Sequence, residues 1–505
     1  MSNMMSRAET RFPAVDVPEG KLLIDGQWVE GATGTRIPVV NPATEQVFAY
    51  VASASAEDVG RAVEAAHRRF ESRSWQNMRP LDRGRLLETL ALLIEARAEE
   101  LATLESWDNG KPYAVSRHVD LAFTIDALRY YGGWASKMAG EYLTLSPFFD
   151  DGGTYRAYTE RRPVGVVGGI TPWNFPLGQA IQKIAPAIAF GCTVVLKPSE
   201  LTSLTTLRLG ELICEAGFPD GAVNIVTGYG DPVGSALVAH PMVRKIAFTG
   251  STETGRKILA AASADMKRVT LELGGKSPTV VLADADMEQA IPGAAMAIFG
   301  NSGQVCTAGS RLIVQSEVFD QVVEGVAEFA SKLTIGHAFE PDVTIGPLVS
   351  DRQLDRVSGM VEQGIADGAD LVAGGERLSG TGFYYPPTVL RNVRPDARIA
   401  REEIFGPVVV ASRLEDLKSL KAAANDTDYG LGASIWTRDL NKAHLLAAQI
   451  DSGTVWINTH NILDTAMPFG GVKMSGLGRE FGSEAINAFT EPKAVCMRLD
   501  PAVLE

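Results

Sequence analysis

Residues 245–258 read KIAFTGSTETGRKI, which predicts a buried strand, a turn at Gly250 and a helix after Ser251. Similar strand patterns occur at VGVVGGITP (164–172), CTVVLKPS (192–199), AVNIVTG (222–228) and RVTLELGG (268–275). Helical patterns lie among them at 204–216, 232–239 and 252–262. Strands that alternate with helices in this way predict an α/β protein with a doubly wound parallel sheet.

The rest of the chain adds elements on either side of this sheet. KLLIDGQWVEG (21–31) predicts a hairpin with Asp25-Gly26 as its turn, and the twenty residues before it predict a loose arm. Helical patterns follow at 56–70, 80–107 and 120–138. A second α/β stretch runs from SPTVVLADAD (277–286) to about Gly471, with helices at 317–333 and 351–367. TYRAYTERRP (154–163) and TEPKAVCMRLD (490–500) are typical of strands.

The overall composition excludes several kinds of partner. The 505 residues include 47 Lys and Arg against 61 Asp and Glu, and the net charge of −14 disfavours nucleic acid and anionic membranes. The longest apolar stretch, 184–196, is interrupted by Pro186 and Gly191 and is too short to span a bilayer. The four cysteines are widely spaced, so we expect neither a zinc site nor a disulfide framework. With no apolar leader at the start, these features predict a cytoplasmic protein.

Two strand ends have the residues of a nucleotide site. The turn at Gly250, Ser251 and Gly255 can offer backbone N–H groups and a helix N-terminus to a phosphate, although a turn without a ligand is an equal alternative. In LKPSE (196–200), Glu200 can accept hydrogen bonds from ribose hydroxyls and would repel a 2′-phosphate, which favours NAD over NADP. The alternative for LKPSE is a solvated loop.

Three further residues could carry chemistry. In TPWNFP (171–176), Asn174 is either a turn residue or a fixed donor to an oxyanion. Glu272 follows a strand among leucines, so it is either a general base with a raised pKa or an edge residue facing water. Cys306 lies in NSGQVCTAGSR (301–311), where amides and Arg311 could favour a thiolate, although an inert buried cysteine is the alternative.

Eight short segments together carry a resemblance to a known family. In chain order they are PWNFP, KPSE, FTGSTETG, LELGGKSP, GQVCTAGSR, EEIFGPV, PFGGVKMSGLGRE and TEPKAV. In this order they resemble the NAD(P)-dependent aldehyde dehydrogenase family over nearly the whole chain. The resemblance implies that the Cys306 thiolate attacks an aldehyde, with the oxyanion held by the Asn174 amide and the Cys306 N–H. It implies further that Glu272 activates the water that hydrolyses the thioester, and that Glu480 relays the proton.

The resemblance also implies a cofactor site and a three-part fold. Gly250 and Gly275 are expected to let the cofactor approach closely. The expected NAD contacts are Trp173, Lys197, Glu200, Gly250, Ser251, Gly255, Glu403 and Phe405. The expected domains are a Rossmann-like cofactor domain at 1–142 and 163–274, a catalytic α/β domain at 275–474, and a β-strand oligomerisation arm at 143–162 and 485–505. Such arms pair subunits in the family, so we expect a homotetramer that is a dimer of dimers.

The expected substrate pocket contains aromatic and small residues: Phe175, Gly178, Ile181, Phe299, Gly300, Val305, Thr307 and Phe469. Gly178, Ile181 and Gly300 match positions at which many family members carry larger side chains, which suggests room for a bulky apolar aldehyde. With NTHNILDTAMPFGG (458–471), the chain most resembles the bacterial family members that oxidise phenylacetaldehyde in styrene and phenylethylamine breakdown. Betaine-aldehyde, other amino-aldehyde and broad aliphatic substrates are the alternatives. An acylating enzyme that uses coenzyme A and an inactive binding protein are rival classes, disfavoured by the presence of Glu272, Cys306 and Asn174.

Overall fold

The structure is a computed structural model that describes residues 12–146, 148 and 153–500. Most of the expected N-terminal arm therefore lies outside the described residues, as do residues 147, 149–152 and 501–505 of the expected oligomerisation arm.

The strands and helices follow the order that the sequence predicts. The strands are β1 Leu22–Ile24, β2 Gln27–Val29, β3 Arg36–Val40, β4 Val47–Ala52, β5 Tyr142–Leu143, β6 Thr154–Pro163, β7 Val166–Ile170, β8 Thr193–Lys197, β9 Val223–Ile225, β10 Val243–Thr249, β11 Arg268–Glu272, β12 Pro278–Val281, β13 Arg311–Gln315, β14 Asp370–Ala373, β15 Thr388–Arg391, β16 Val408–Leu414, β17 Gly432–Trp436, β18 Thr454–Ile457, β19 Gly476–Leu477 and β20 Thr490–Leu499. The helices are α1 Ala56–Glu71, α2 Arg73–Gln76, α3 Pro80–Ala96, α4 Ala98–Asn109, α5 Tyr113–Val115, α6 Leu121–Trp134, α7 Pro176–Ala189, α8 Leu204–Glu215, α9 Ser235–Ala239, α10 Thr252–Ala262, α11 Met287–Phe299, α12 Phe319–Ser331, α13 Asp351–Ala366, α14 Arg398–Arg401, α15 Leu420–Asn425, α16 Leu440–Ala447 and α17 Ala485–Phe489.

The larger sheet confirms the prediction of a doubly wound α/β fold. Its order in the described chain is β19-β11-β10-β7-β8-β9-β1-β2, and the strands from β11 to β9 are parallel. Neighbouring side chains such as Val166 and Val167 pack into separate apolar clusters on opposite faces. Helices cover both faces, which explains why these strands are continuously apolar. The hairpin β1–β2 extends one edge, and β19, from far along the chain, extends the other.

The later part of the chain forms a second sheet, as predicted. Its order is β14-β15-β16-β13-β12-β17-β18, and each pair is parallel except β14 with β15. A smaller sheet joins β5, β6 and β20, in which β20 runs antiparallel to β6 from Thr490 opposite Pro163 to Leu499 opposite Thr154. The last strand therefore joins the segment expected to form the arm, while the domain boundaries remain predictions.

Two predicted helices differ in extent from the observed ones. The pattern at 80–107 forms α3 and α4, because the backbone of Arg97 leaves the helical region between them and its guanidinium pairs with Glu215 at 2.6 Å. The predicted helix at 232–239 is regular only in α9, from Ser235. Residues Gly230–Gly234 form a π-helical turn instead, in which the backbone of Asp231 leaves the helical region.

Helices α3 and α6 pack closely because glycines face each other. A Cβ atom on Gly84 would lie 2.6 Å from the carbonyl oxygen of Gly132. We expect Gly84→Ala to lower the free energy of unfolding by about 1–3 kcal/mol, since the helices would have to separate. Gly60→Ala in α1 is the control, because its Cβ would meet no atom within 4 Å and alanine favours a helix. Urea denaturation checks both, and equal midpoints for the two variants would contradict the prediction.

Candidate active site

A cleft of about 580 Å³ lies where the two sheets present their strand ends. The larger sheet contributes the segments that follow the carboxyl ends of β7, β8, β10 and β11. Cys306, the start of α13 and the turn at Glu403 and Phe405 border the other side. Parallel sheets bind ligands at this end, so the cleft is the natural place for the predicted site.

The predicted phosphate turn opens into the cleft. Ser251 caps α10, and its Oγ accepts a hydrogen bond from the Thr254 N–H at 3.3 Å. Gly250 is required by the packing of the protein itself, since a Cβ there would lie 2.5 Å from the ring of Phe248. Gly255 lies against Leu273 in the same way, at 2.6 Å. Packing within the protein therefore explains the glycine at both positions, independently of any cofactor.

The residues expected at the adenosine ribose are also together. Lys197 Nζ donates to Glu200 Oε2 at 3.2 Å, and Glu200 borders the cleft while Lys197 lies buried behind it. Burial lowers the pKa of Lys197, and the Glu200 carboxylate partly offsets that effect.

The residues expected at the nicotinamide ribose form the opposite wall. The rings of Trp173 and Phe405 meet edge to face, with centroids 5.1 Å apart. Phe405 has a φ of 59°, and Gln353 Nε2 fixes this turn by donating to the Phe405 carbonyl at 2.8 Å. Glu403 Oε1 accepts the Gly275 N–H at 2.9 Å, and burial raises the pKa of Glu403 to about 7. The sequence analysis missed Gln353, which no motif marks.

Cys306 follows a strained turn. Asn301, Ser302 and Gly303 all have positive φ, and a side chain on Gly303 would overlap the Gly406 carbonyl. Such a turn costs energy and persists only when the surroundings hold it, as they often do at functional sites. It brings the partly exposed Cys306 to the cleft.

The electrostatics of the thiol differ from the expectation. Burial, together with the charges of Glu403 and Glu272, raises the pKa of Cys306 to about 12, although backbone N–H groups nearby lower it. Arg311 does not assist, because its guanidinium donates to the carbonyls of Lys276, Ala423 and Ala424. The expectation that Arg311 favours a thiolate is therefore wrong, and the surroundings of Cys306 favour the thiol over the thiolate.

Asn174 is tied to the segment of the nucleophile. Its side chain is buried, and Nδ2 donates to the Gln304 carbonyl at 2.8 Å, two residues before Cys306. An amide nitrogen has two N–H donors, so one is left for another acceptor. Asn174, Glu272 and Cys306 all border the same cleft.

Glu272 is buried rather than facing water, with 3% of its surface exposed. Neither of its carboxylate oxygens has a hydrogen-bond partner among the described residues. Burial and the nearby charge of Glu480 raise the pKa of Glu272 well above its ordinary value, and Lys183 partly offsets this. A carboxyl group with a raised pKa binds a proton more readily than an ordinary one, as a general base requires.

Glu480 lies behind the cleft in an ion pair with the buried Lys183, which also donates to Thr249 Oγ1 at 2.7 Å. The sequence analysis missed Lys183. Its signal was the single charged residue of the helix at 177–189, since a buried helix keeps a charge only with a partner.

The eight residues predicted for the substrate pocket do not border this cleft. The side chains of Ile181 and Phe299 are fully buried in two different apolar clusters, so they offer no open surface to a ligand as placed. Thr307 is buried and donates to Asn461 Oδ1 at 2.6 Å. The substrate pocket therefore remains a prediction.

Two further findings concern the described part of the chain. It contains no group of three or more His, Cys, Asp and Glu side chains arranged to hold a metal ion. Its helices are also too short or too polar to cross a membrane.

The fold and the site define a class: an α/β enzyme with a cysteine, a buried carboxylate and an amide at one interdomain cleft. Comparisons with known proteins agree. The aldehyde dehydrogenase family model matches residues 28–495. A phenylacetaldehyde dehydrogenase of Pseudomonas fluorescens is 47% identical over 96% of this chain and 97% of its own length. Retinal dehydrogenase 2 of Mus musculus is 43% identical over 96% of this chain and 93% of its own length.

A solved structure gives the same assignment. The NAD⁺ complex of an aldehyde dehydrogenase from Bacillus cereus superposes with a TM-score of 0.93 at 44% identity, and covers 98% of this chain and 99% of that one. The protein belongs to the aldehyde dehydrogenase family. Its activity is the oxidation of an aldehyde, with NAD or NADP as the cofactor.

The raised pKa of Glu272 predicts a pH dependence. Its basic form is lost as the pH falls through the raised pKa, so hydrolysis should slow on the acidic side. Because the charge of Glu480 contributes to the raised pKa, Glu480→Gln should move this acidic limb to lower pH. Steady-state rates from pH 5 to 9 measure this shift, and they do so even if Glu480→Gln also lowers the maximum rate. Glu484→Gln, at an exposed carboxylate on the same segment, is the control and should leave the limb in place.

Proposed function

We propose that this aldehyde dehydrogenase oxidises phenylacetaldehyde, or a similar arylaldehyde, to the carboxylic acid with NAD. The observation that carries the chemistry is the meeting of Cys306, Asn174 and Glu272 at one cleft. The similarity to a phenylacetaldehyde dehydrogenase and to a retinal dehydrogenase supports a bulky apolar aldehyde.

The first step joins the sulfur to the aldehyde. Cys306 loses its proton, and its sulfur attacks the carbonyl carbon to form a thiohemiacetal. The free N–H of the Asn174 amide and the backbone N–H of Cys306 hold the oxygen that becomes negative. One such donor contributes about 10²–10³ in rate, because it is already oriented when the charge forms.

The residues around the cleft fit a dinucleotide. The start of α10 with Ser251 would hold the pyrophosphate, Lys197 and Glu200 the adenosine ribose, and Glu403 and Phe405 the nicotinamide ribose. The raised pKa of the buried Glu403 supports this role, because a carboxyl group of this kind is stabilised by ribose hydroxyls that donate to it. When bound, NAD accepts the hydride that leaves the thiohemiacetal as the thioester forms.

The last step releases the acid. Glu272 takes a proton from a water molecule, which attacks the thioester and frees the Cys306 sulfur. The carboxyl group of Glu272 borders the cleft, where this water would lie. Glu480 and Lys183 lie behind it and would carry the proton away.

Two observations favour this reading over its alternatives. Glu200 borders the cleft, where its charge would repel the 2′-phosphate of NADP, so NADP is the less favoured cofactor. A betaine-aldehyde or other amino-aldehyde enzyme would need carboxylates beside its cationic substrate. Asp464, in the segment that resembles the phenylacetaldehyde enzymes, is exposed and accepts the Ala466 N–H at 2.7 Å.

We also propose a cytoplasmic homotetramer. All four cysteines are unpaired, and Cys214 and Cys496 are exposed, which suits a reducing compartment. Strand β20 is exposed along most of its length, and a long exposed edge is normally covered by another chain.

The two catalytic roles predict different kinetics. Cys306→Ala should abolish the first burst of NADH, because no thiohemiacetal forms. Glu272→Gln should keep the burst and stall afterwards, because the thioester is not hydrolysed. Stopped-flow absorbance at 340 nm measures both, with Cys214→Ala as the control at an exposed free thiol. Equal loss of the burst in both variants would instead assign Glu272 to the activation of the thiol.

The substrate proposal predicts a specificity ratio. Across aromatic, aliphatic and amino aldehydes, kcat/KM should be highest for phenylacetaldehyde, and NAD should be preferred to NADP. A pocket contributes about 10–200-fold per methylene, so acetaldehyde should be a far poorer substrate. A preference for short aliphatic or cationic aldehydes would contradict the proposal, and formation of acyl-CoA rather than acid would indicate the acylating class.

A further inference from the structure

A buried cluster of charges lies beneath the loop that carries Asn174. It consists of Lys111 with Glu105 and Asp120, and the side chains of all three are almost fully excluded from solvent. None of them has a role in the mechanism above. We propose that Lys111 is a positioning residue that fixes the oxyanion donor Asn174, an inference that rests on the proposed function.

The contacts of Lys111 converge on the loop. Its Nζ donates to the backbone carbonyl of Asn174 at 2.8 Å and to Asp120 Oδ2 at 2.5 Å. Glu105 Oε1 lies 3.7 Å away. The same ammonium stands 4.2 Å from the ring centroid of Phe175, within range of a cation–π interaction. One buried cation therefore binds Asn174 and the next residue at the same time.

The end of α4 holds the rest of the loop as well. Asn109 Nδ2 donates to the Trp173 carbonyl at 2.7 Å, and Glu105 Oε2 accepts the Leu177 N–H at 3.4 Å. The main chain on both sides of Asn174 is thus fixed from one short segment. With its backbone held, the side chain of Asn174 reaches Gln304 in a single direction.

The cost of this cluster argues for a role beyond stability. An ion pair in the interior often contributes no more to stability than apolar residues of the same size, because its desolvation is expensive. Burial raises the pKa of Glu105 to about 7, which shows how unfavourable the site is for a charge. An ammonium does what an apolar side chain cannot, since it donates to a carbonyl in a fixed direction. Direction is what an oxyanion donor requires.

A double-mutant cycle tests this inference. Lys111→Met should slow the NADH burst about 10- to 100-fold. This effect should be no larger than that of Asn174→Ala, which removes the donor itself. In an Asn174→Ala background, Lys111→Met should change the burst less than about twofold, since residues that act through one another are not additive. The affinity for NAD, measured by fluorescence titration, should stay the same in all variants. Additive effects of the two substitutions would overturn the inference.

Arg83→Met is the matched control for the loss of a buried cation. Arg83 donates to the carbonyls of Ala189 and Met78, at the far end of α7 from Asn174. The Arg83→Met variant should have a lower urea midpoint of unfolding and an unchanged rate of the NADH burst. If Arg83→Met slowed the burst as much as Lys111→Met, the effect would be general and the inference would be wrong.

Two outcomes separate this inference from the proposed function. If Asn174→Ala leaves the burst unchanged, the oxyanion role fails, and the positioning role fails with it. If Asn174→Ala slows the burst but Lys111→Met does not, the oxyanion role stands and only the positioning role fails. If Lys111→Met does not fold, Asp120→Asn replaces it in the same double-mutant cycle. Asp120→Asn keeps Lys111 but weakens the ion pair that positions its ammonium group. It should slow the burst in the wild-type background only.

Discussion

The buried ion pair between Lys183 and Glu480 connects the parts of the site. Lys183 lies on α7, which begins directly after the Asn174 loop, and it also binds Thr249 at the end of β10, next to the phosphate turn. Glu480 follows β19, which pairs with β11, the strand that ends at Glu272. The residues proposed as oxyanion donor, cofactor turn and general base are thus joined at one point. Losing either partner would leave a buried charge, which typically costs about 3–5 kcal/mol.

Close backbone packing is the second constraint, and it explains part of what the sequence could predict. The sequence analysis expected Gly275 of LELGGKSP to let the cofactor approach closely. In the structure, a side chain on Gly275 would overlap the Cys306 carbonyl, and one on Gly303 would overlap that of Gly406. The motifs could be recognised from the sequence because each glycine has little freedom to change. Their physical reason could not be read from it, because the contacts join segments far apart in the chain.

Predictions succeeded where the signal was local. The strand-to-helix unit at KIAFTGSTETGRKI gave β10 and α10 almost to the residue, because a buried strand and a capped helix are both marked in the sequence. The pKa of Cys306 and the ion pair of Lys183 depend on carboxylates that are distant in the sequence. Arg311 is close to Cys306 in the sequence, but its guanidinium donates to a backbone carbonyl instead. Closeness in the sequence therefore gave a wrong expectation for Arg311. The substrate pocket remains a prediction for a related reason. Whether Ile181 or Phe299 faces a ligand depends on the packing of whole helices.

The two raised pKa values constrain how the thiol is activated. If Cys306 lost its proton to solvent, a further negative charge would be added beside Glu272 and Glu403. If the proton passed instead to Glu272, the total charge would not change, and the carboxylate that opposes the thiolate would be neutralised. Once the sulfur is acylated it carries no charge, so Glu272 can ionise again without repelling it. Glu272→Gln separates the two routes, because a lost burst means that Glu272 serves both the thiol and the water, and a kept burst means that it serves the water alone. In either case the proton that Glu272 takes must leave before the next turnover. The ion pair of Glu480 and Lys183, buried directly behind it, is placed for that exit.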